Sequence, residues 1–187
     1  MNELSASVYL SLTTKKSDIG GTRDHRVPGH QISRTIQPET TSMSNNVLIL
    51  IARILLSFMF IFAGFGKLTD PASTAGMITG AGLPAATALT YLAGLFELVA
   101  GLAVLVGFQV RIVGWLLAVF CVFTGFVFHF SPINVPDFPA AANAWLSGLN
   151  FVNFLKNITL AGAYVMLATN GAGAYSLDAR RGAYAAA

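Results

Sequence analysis

The stretch RILLSFMFIFAGFGKLTDP, residues 53–71, decides the fold because it is strongly apolar and yet carries a basic residue at each end. Extended back to Val47, the apolar run approaches the ~20 residues that cross the hydrocarbon core of a bilayer. Backbone groups inside lipid must be hydrogen-bonded within the segment, so the stretch predicts a helix. Arg53 and Lys67 are 14 residues apart, close to four helical turns, and therefore share one face at different depths.

The composition of the whole chain agrees with a membrane protein. Of its 187 residues 55% are hydrophobic and 10% are charged, and the mean hydropathy is +0.66, which is far from the soluble norm. The net charge of +3 comes from a basic tail and from loop ends, so we expect no nucleic-acid partner. The single cysteine, Cys121, excludes an internal disulfide and a two-thiol redox motif within this chain.

Four apolar segments predict an all-α membrane protein, a bundle of four transmembrane helices embedded in the lipid bilayer. They cover residues 47–66, 86–106, 112–130 and 155–169, within a transmembrane domain of residues 47–170 that is followed by a short C-terminal tail, 171–187. Basic residues near the spans collect on the side of both termini, so both termini are expected to be cytoplasmic. The apolar segment before the fourth span is expected to lie on the membrane surface or to re-enter it.

Residues 1–46 are rich in serine, threonine and charge and show no sustained periodicity, which predicts a disordered basic tail. Met43 begins a short polar lead directly into the first span. We hypothesise that Met43 is the natural start, and the intact mass of the native protein tests it.

A weak internal repeat links the two halves of the chain. FAGF at residues 62–65 returns as FTGF at 123–126, and the AG pair at 100–101 returns at 161–162, both 61 positions later. Two matched helix hairpins of parallel orientation give this pattern, as in transporters built from parallel repeats. Chance similarity is the alternative, because glycine, alanine and phenylalanine are common here.

Small and polar residues recur on one face of each of the first three spans at ~100° per residue. Small residues let helix backbones approach closely, whereas a lipid-facing position gains nothing from glycine. We therefore interpret these stripes as the inward faces of one bundle. The glycines expected at helix contacts are Gly64, Gly94, Gly101, Gly114 and Gly125.

Arg53 and Glu97 are predicted to form a buried polar pair. At ~1.5 Å rise per residue, Arg53 lies about 9 Å from the start of its span and Glu97 about 13 Å from the end of a span that runs the other way. An unpaired charge at the bilayer centre costs at least ~2.5 kcal/mol, so each needs a partner or water. The pair has two interpretations: a structural ion pair that fixes helix register, or a proton relay or headgroup site.

Lys67, His129, Lys156 and Asn157 fall near the outer ends of the inward faces. Together they could bind an anion or a quinone carbonyl, and His129 could exchange a proton near neutral pH. The alternative for the two lysines is simple anchoring at the membrane interface. Dense phenylalanine in the outer halves of the first and third spans suits a flat ligand such as a quinone, although packing or lipid contact explains it as well.

Chemistry based on a metal or on a soluble enzyme motif is not expected. A metal site needs several ligands, and the two other histidines, His25 and His30, lie in the N-terminal tail. The chain contains no phosphate-binding glycine loop, nucleophile elbow or c-type haem attachment motif. Any reaction must therefore take place in the membrane or be supplied by a partner.

The chain resembles the DoxX-like family of small bacterial inner-membrane proteins. The resemblance rests on ARILLSFMFIFAGFGKL, GLFELVAGLAVLVGFQVR, FHF at the end of the third span and FLKNITLAGAYVML in the fourth, and it covers about residues 47–169. The positions that match the family pattern are Arg53, Gly64, Lys67, Glu97, Gly101, Arg111, His129, Lys156 and Asn157.

The resemblance implies a multi-pass protein of the bacterial inner membrane, and some members are reported as subunits of membrane redox systems. It thus suggests a quinone-adjacent subunit or membrane anchor of a thiosulfate, thiol or oxidative-stress system, with no covalently bound cofactor and with quinone as the candidate ligand. Partners would be soluble redox enzymes or a second membrane subunit. The alternatives are a non-catalytic scaffold that recruits soluble partners and a small transporter or permeability factor, and the residues leave open whether the chain is an enzyme.

Overall fold

The structure is a computed structural model that describes residues 39–182, and over that range it is helical, without any strand. The helices are α1 (Glu39–Thr69), α2 (Ala72–Gly80), α3 (Ala86–Val106), α4 (Val110–Thr124), a π-helical turn (Gly125–His129), α5 (Ala140–Asn170) and α6 (Leu177–Arg180). Four stretches are long and apolar enough to span a membrane: Asn45–Thr69, Ala86–Val106, Val110–His129 and Ala140–Asn170. The predicted all-α, four-span architecture is confirmed.

Two helices are longer than the sequence predicts. α1 begins at Glu39, before the expected boundary at residue 46, while residues 1–38 of the predicted tail lie outside the described part of the chain. α5 has 31 residues, or about 46 Å at ~1.5 Å per residue, and thus exceeds a hydrocarbon core of ~30 Å. The segment expected on the membrane surface is therefore the first half of α5. The start at Met43 stays a prediction.

The four spans form two helix hairpins. α1 packs chiefly on α3, and α4 with the π-helical turn packs chiefly on α5, while contacts between the two hairpins are sparse. Because α1 and α4 cross the membrane in the same direction, the hairpins have the parallel orientation that the 61-residue repeat suggests. The expected cytoplasmic location of both termini stays a prediction.

The repeated FxGF motif places a glycine at the contact within each hairpin. A Cβ atom at Gly64 would lie 2.6 Å from the backbone nitrogen of Leu98, and one at Gly125 would lie 3.2 Å from Cβ of Asn157. The second repeated pair behaves differently, since a Cβ atom at Gly101 would meet α1 whereas Gly162 has open space around it. The repeat therefore describes the hairpin layout and not every contact.

The remaining glycines that were expected at helix contacts lie there as well. A Cβ atom at Gly94 would lie 3.0 Å from Cβ of Lys67, and one at Gly114 would lie 3.0 Å from Cβ of Ala168. These close approaches leave no room for a larger residue without movement of the facing helix.

A buried core extends from the middle of the bundle through the half nearest Arg53. Val104, Val110, Leu117, Cys121 and Tyr164 are completely buried there. The Tyr164 hydroxyl, a costly group to bury without a partner, donates to the carbonyl of Leu56 at 2.8 Å and so ties α5 to α1. We call this half the Arg53 end and the opposite half the Lys67 end.

Candidate functional site

The predicted pair of Arg53 and Glu97 is wrong. The Arg53 side chain is only 1% exposed, and within residues 39–182 its hydrogen-bond acceptors are all backbone carbonyls. Nε binds Val104 at 2.9 Å and Nη2 binds Leu105, while Nη1 binds Ala172 at 2.8 Å and Tyr175 at 2.7 Å. We call this set the Arg53 network.

The Arg53 network forms because carbonyl groups accumulate where helices end. α3 ends at Val106, and the last carbonyls of a helix lack intrahelical donors and carry the negative end of its dipole. Gly107 turns the chain directly after α3 with a φ of +70°, and a Cβ atom there would lie 2.8 Å from Cζ of Arg53. Glycine is thus required both by the backbone conformation and by the guanidinium.

The residues after α5 close the same end, although the sequence predicted only a short tail. The Asp178 carboxylate accepts the backbone N–H groups of Gln109 at 2.7 Å and Val110 at 2.9 Å. These are unpaired donors at the start of α4, where a negative charge is favourable. Arg181 lies over the Phe108 ring, 4.9 Å from its centroid. The described part of this tail is therefore a clasp over the α3–α4 turn.

Glu97 pairs instead with Lys67, which the sequence analysis placed in the outer-side site, with anchoring at the membrane interface as the alternative. Nζ of Lys67 lies 2.8 Å from Oε2 of Glu97, and the two side chains are 21% and 6% exposed. The prediction compared backbone depths, whereas the long stem of Lys67 reaches inward from the last turn of α1. Gly94 allows this path, because a Cβ atom there would crowd the Lys67 stem.

His129 ends the π-helical turn and is held by an asparagine that the sequence analysis did not single out. Its Nδ1 lies 2.9 Å from Oδ1 of Asn150. Nδ2 of Asn150 donates to the carbonyls of Phe128 at 3.3 Å and Ser131 at 3.0 Å. Single-turn π-helices are rare and often occur at functional sites, and an asparagine within an apolar segment was the available signal for Asn150.

A cavity of about 770 Å³ lies between the two hairpins at the Lys67 end. Three of the four predicted site residues, Lys67, His129 and Asn157, line it together with Glu97 and Thr124. Thr124 donates to Oδ1 of Asn157 at 3.2 Å, which connects α4 to α5. Lys156 is exposed on the outside of α5 and does not line the cavity. We call this space the hairpin cavity.

Part of the predicted aromatic lining is present, and Phe96 on α3, outside the two spans that the prediction named, adds to it. Phe96, Phe120 and Phe123 line the cavity, and the rings of Phe96 and Phe120 are in contact, with centroids 5.0 Å apart. Phe58 and Phe62 on α1 are 70% and 71% exposed and therefore face lipid. Successive residues of α1 point to different faces of the helix, which explains why only some of its phenylalanines reach the cavity.

The hairpin cavity opens sideways between α3 and α4. Leu92 on α3 and Val119 on α4 line it and yet are 63% and 65% exposed, so its apolar side faces the bilayer. α2, a helix that the sequence analysis did not predict, covers another side with Thr74, Met77 and Ile78. The polar groups and the lipid-facing gap thus belong to one space.

Within residues 39–182 no group of three or more histidine, cysteine, aspartate or glutamate side chains is placed to hold a metal ion. His25 and His30 lie outside the described residues.

Comparison with known proteins places these features in a family. A match to the DoxX family covers residues 48–130, a range that includes Arg53, Lys67, Glu97 and His129. The chain is 36% identical over 133 residues to the inner membrane protein YqjF of Escherichia coli K12, covering 71% of this chain and 91% of that protein. It is 33% identical over 134 residues to the inner membrane protein YphA of the same organism, covering 72% and 90%.

No solved structure matches the chain, so the family assignment rests on sequence and the site geometry on this structure alone. The four spans and the relatives agree on a multi-pass protein of the bacterial inner membrane. The chain belongs to the DoxX-like family of bacterial inner-membrane proteins.

Proposed function

We propose that the protein binds a quinone in the hairpin cavity and serves as the quinone-adjacent membrane component of a redox system. The observation that carries the proposal is the combination, in one cavity, of aromatic walls, a gap toward lipid and a cluster of polar groups. Ligand pockets commonly have volumes of ~300–1,000 Å³ with apolar walls and a few polar groups that fix orientation. The hairpin cavity, at about 770 Å³, fits that description.

The polar groups have hydrogen-bonding capacity to spare. A lysine ammonium has three donors, and Lys67 uses one of them for Glu97. The other two suit a carbonyl oxygen such as that of a quinone. The Lys67–Glu97 pair also keeps the local net charge near zero, which favours a neutral polar head over a free anion.

The apolar parts of the cavity suit the rest of such a ligand. The rings of Phe96, Phe120 and Phe123 can stack on a flat head, and the gap beside Leu92 and Val119 lets an isoprenoid tail remain in the bilayer. When bound, a quinone would supply two-electron carrier chemistry, while the side chains of this chain hold and orient it. Soluble redox enzymes or a second membrane subunit would then be the electron-exchanging partners.

The closed Arg53 end favours ligand binding over transport. No member of the Arg53 network lines the hairpin cavity, and the core residues beyond Phe60 at that end are buried. A blind cavity holds a ligand but gives no path across the membrane. The scaffold alternative places function in loops and tails, and binding experiments separate it from the present proposal.

The test uses the full chain in nanodiscs of quinone-free lipid. Binding of a short-tailed ubiquinone is measured by equilibrium dialysis against empty nanodiscs. We expect saturable binding that Lys67→Met and Glu97→Gln weaken about tenfold, the equivalent of one lost hydrogen bond at ~1.4 kcal/mol. Lys156→Met, on the outside of α5, is the matched control and should bind normally.

Two results would overturn the proposal. One is wild-type binding no greater than partition into empty nanodiscs. The other is an equal loss of quinone binding in Lys156→Met and Lys67→Met, because binding would then not depend on the hairpin cavity. Co-purification of soluble enzymes with a wild-type protein that binds no quinone would instead identify a scaffold.

A further inference from the structure

Resting on the proposed quinone site, we propose that Asn150 holds His129 in its Nδ1–H tautomer, so that Nε2 accepts a hydrogen bond and the hairpin cavity prefers a hydroquinone to a quinone. Asn150 would be a positioning residue, and His129 the group that contacts the ligand.

The hydrogen bonds of Asn150 fix the orientation of its side-chain amide. Asn150 is buried, with 8% exposure, and its amide nitrogen donates to two backbone carbonyls, those of Phe128 and Ser131. An amide NH₂ group has two hydrogens, so both are used. A rotated amide would place its oxygen against two carbonyl oxygens, which is unfavourable. The amide oxygen therefore faces His129.

The orientation of the Asn150 amide determines which nitrogen of the His129 ring carries the proton. Since the amide oxygen only accepts, Nδ1 of His129 at 2.9 Å must carry the hydrogen. In the neutral ring Nε2 then has a free lone pair and acts as an acceptor. A second-shell hydrogen bond commonly fixes a histidine tautomer in this way.

Nε2 of His129 is accessible to a ligand. His129 lines the hairpin cavity, and among the described residues no hydrogen bond involves its Nε2. In the same part of the chain no buried side-chain nitrogen or oxygen lacks a partner, so Nε2 is not sealed inside the protein. It is an accessible acceptor on the ring that borders the cavity.

The cavity consequently presents opposite hydrogen-bonding characters. Lys67 offers donors, and neutral His129 offers an acceptor. A quinone has two carbonyl oxygens that only accept, whereas each hydroxyl of a hydroquinone both donates and accepts. The reduced ligand thus satisfies both residues, and the oxidised ligand leaves Nε2 without a donor.

The tautomer is tested without any ligand. Histidine labelled with ¹⁵N distinguishes a protonated Nδ1 from a protonated Nε2 by NMR, and His129→Gln identifies the signal by its loss. At about pH 8.5, where an ordinary histidine is neutral, we expect the Nδ1–H form in the wild type and a shift toward Nε2–H in Asn150→Ala. An Nε2–H form in the wild type would overturn the inference.

Ligand selectivity is tested with a short-tailed ubiquinone, its hydroquinone and the hydroquinone dimethyl ether, under anaerobic conditions in nanodiscs. We expect the hydroquinone to bind about tenfold more tightly than the quinone or the ether at about pH 8.5, as one hydrogen bond predicts. Asn150→Ala should reduce this ratio, whereas Asn153→Ala, an exposed neighbour on α5, should preserve it. If Asn150→Ala does not fold, His129→Gln replaces it, because its amide can donate or accept and should bring the ratio near one.

The results separate the two proposals. Equal wild-type affinity for the quinone and the hydroquinone overturns the selectivity but leaves the quinone site intact. Absence of binding by all three compounds overturns the site itself, while the NMR experiment still decides the tautomer.

Discussion

The two ends of the bundle use a basic residue of α1 in opposite ways. At one end Arg53 donates to four backbone carbonyls and is almost completely buried. At the other end Lys67 has one carboxylate partner and borders a cavity. The guanidinium uses four of its five donors on the main chain and is almost completely buried, so it offers little to a ligand, whereas the ammonium has two donors left beside its carboxylate. The comparison indicates a structural role for the Arg53 end and supports the proposal that a ligand binds at the Lys67 end.

The two ends also differ in the segments that cover them. Asp178 and the residues around it cover the Arg53 end by bonding the chain turn between α3 and α4. The Lys67 end has α2 beside its cavity and a loop held by α5, where the Asn143 side chain accepts the N–H of Val135 at 2.8 Å. The second arrangement leaves an internal space.

The sharpest way to break the comparison is Arg53→Met. The variant keeps an apolar stem but leaves carbonyls of α3 and of the residues after α5 without their donor. Removing one partner of a buried charged network costs about 3–5 kcal/mol, so we expect a loss of that size in the free energy of unfolding, measured by denaturant titration in detergent micelles.

Arg111→Met is the control for Arg53→Met, because Arg111 is exposed near the start of α4. Its effect should remain within about 0.5 kcal/mol. Equal stability of the two variants would show that the Arg53 network is not what holds this end together.

The next largest effect is expected for Gly64→Ala. The new methyl group would lie 2.6 Å from Leu98 N and 2.7 Å from Gly94 O, so α1 and α3 must separate, at a cost of about 1–3 kcal/mol. Because Gly94 also leaves space for the Lys67 stem, ligand binding should weaken together with stability. Thermal unfolding and quinone dialysis measure both quantities.

Gly66→Ala gives the matched comparison, since Gly66 lies two residues away in the same helix with nothing within 4 Å of an added Cβ atom. Helix propensity alone then acts, and stability should rise by up to about 1 kcal/mol. A destabilised Gly66→Ala variant would mean that this face is covered by a partner or a second copy.

The spans and the inward-facing glycines could be predicted because both depend on short-range patterns. Apolar length predicts a span, and the spacing of small residues predicts the face on which Gly64 and Gly125 lie. The partners of Arg53 and Lys67 could not be predicted from depth alone. Long side chains reach several ångströms along the helix axis, so Arg53 extends to the end of α3 and Lys67 to Glu97.

The first half of α5 and the role of Asn150 depend on long-range contacts. Asn143, Ser147 and Asn150 interrupt the apolar pattern, and each of them bonds backbone groups of the loop before α5. Their function is visible only once that loop is placed. α2 has nine residues, two of them glycine, so neither length nor periodicity marks it. Asp178 likewise acts through a turn 68 positions away from it.

Asp178→Asn tests the role of the clasp and should have a smaller effect on the free energy of unfolding. Loss of the negative charge at the start of α4 weakens two hydrogen bonds to backbone N–H groups, and we expect a decrease of about 1 kcal/mol in the free energy of unfolding. Asp70→Asn, at an exposed position, should leave it unchanged. Quinone affinity should be normal in both variants, and a loss of affinity in Asp178→Asn would show that the two ends are coupled.

The smallest perturbation is chemical labelling. It compares two positions on α4 that are two residues apart, one in the buried core and one in the hairpin cavity. Cys121 is completely buried and does not line the cavity, whereas Val119 is 65% exposed and does. In folded protein a membrane-permeable maleimide should therefore leave Cys121 unmodified and should label Val119→Cys in a Cys121→Ala background. Bound ubiquinone should slow the second reaction several-fold, as read by intact mass. Rapid labelling of wild-type Cys121 would show that the core opens to the same degree as the cavity, and the division of the bundle into a closed end and a binding end would fail.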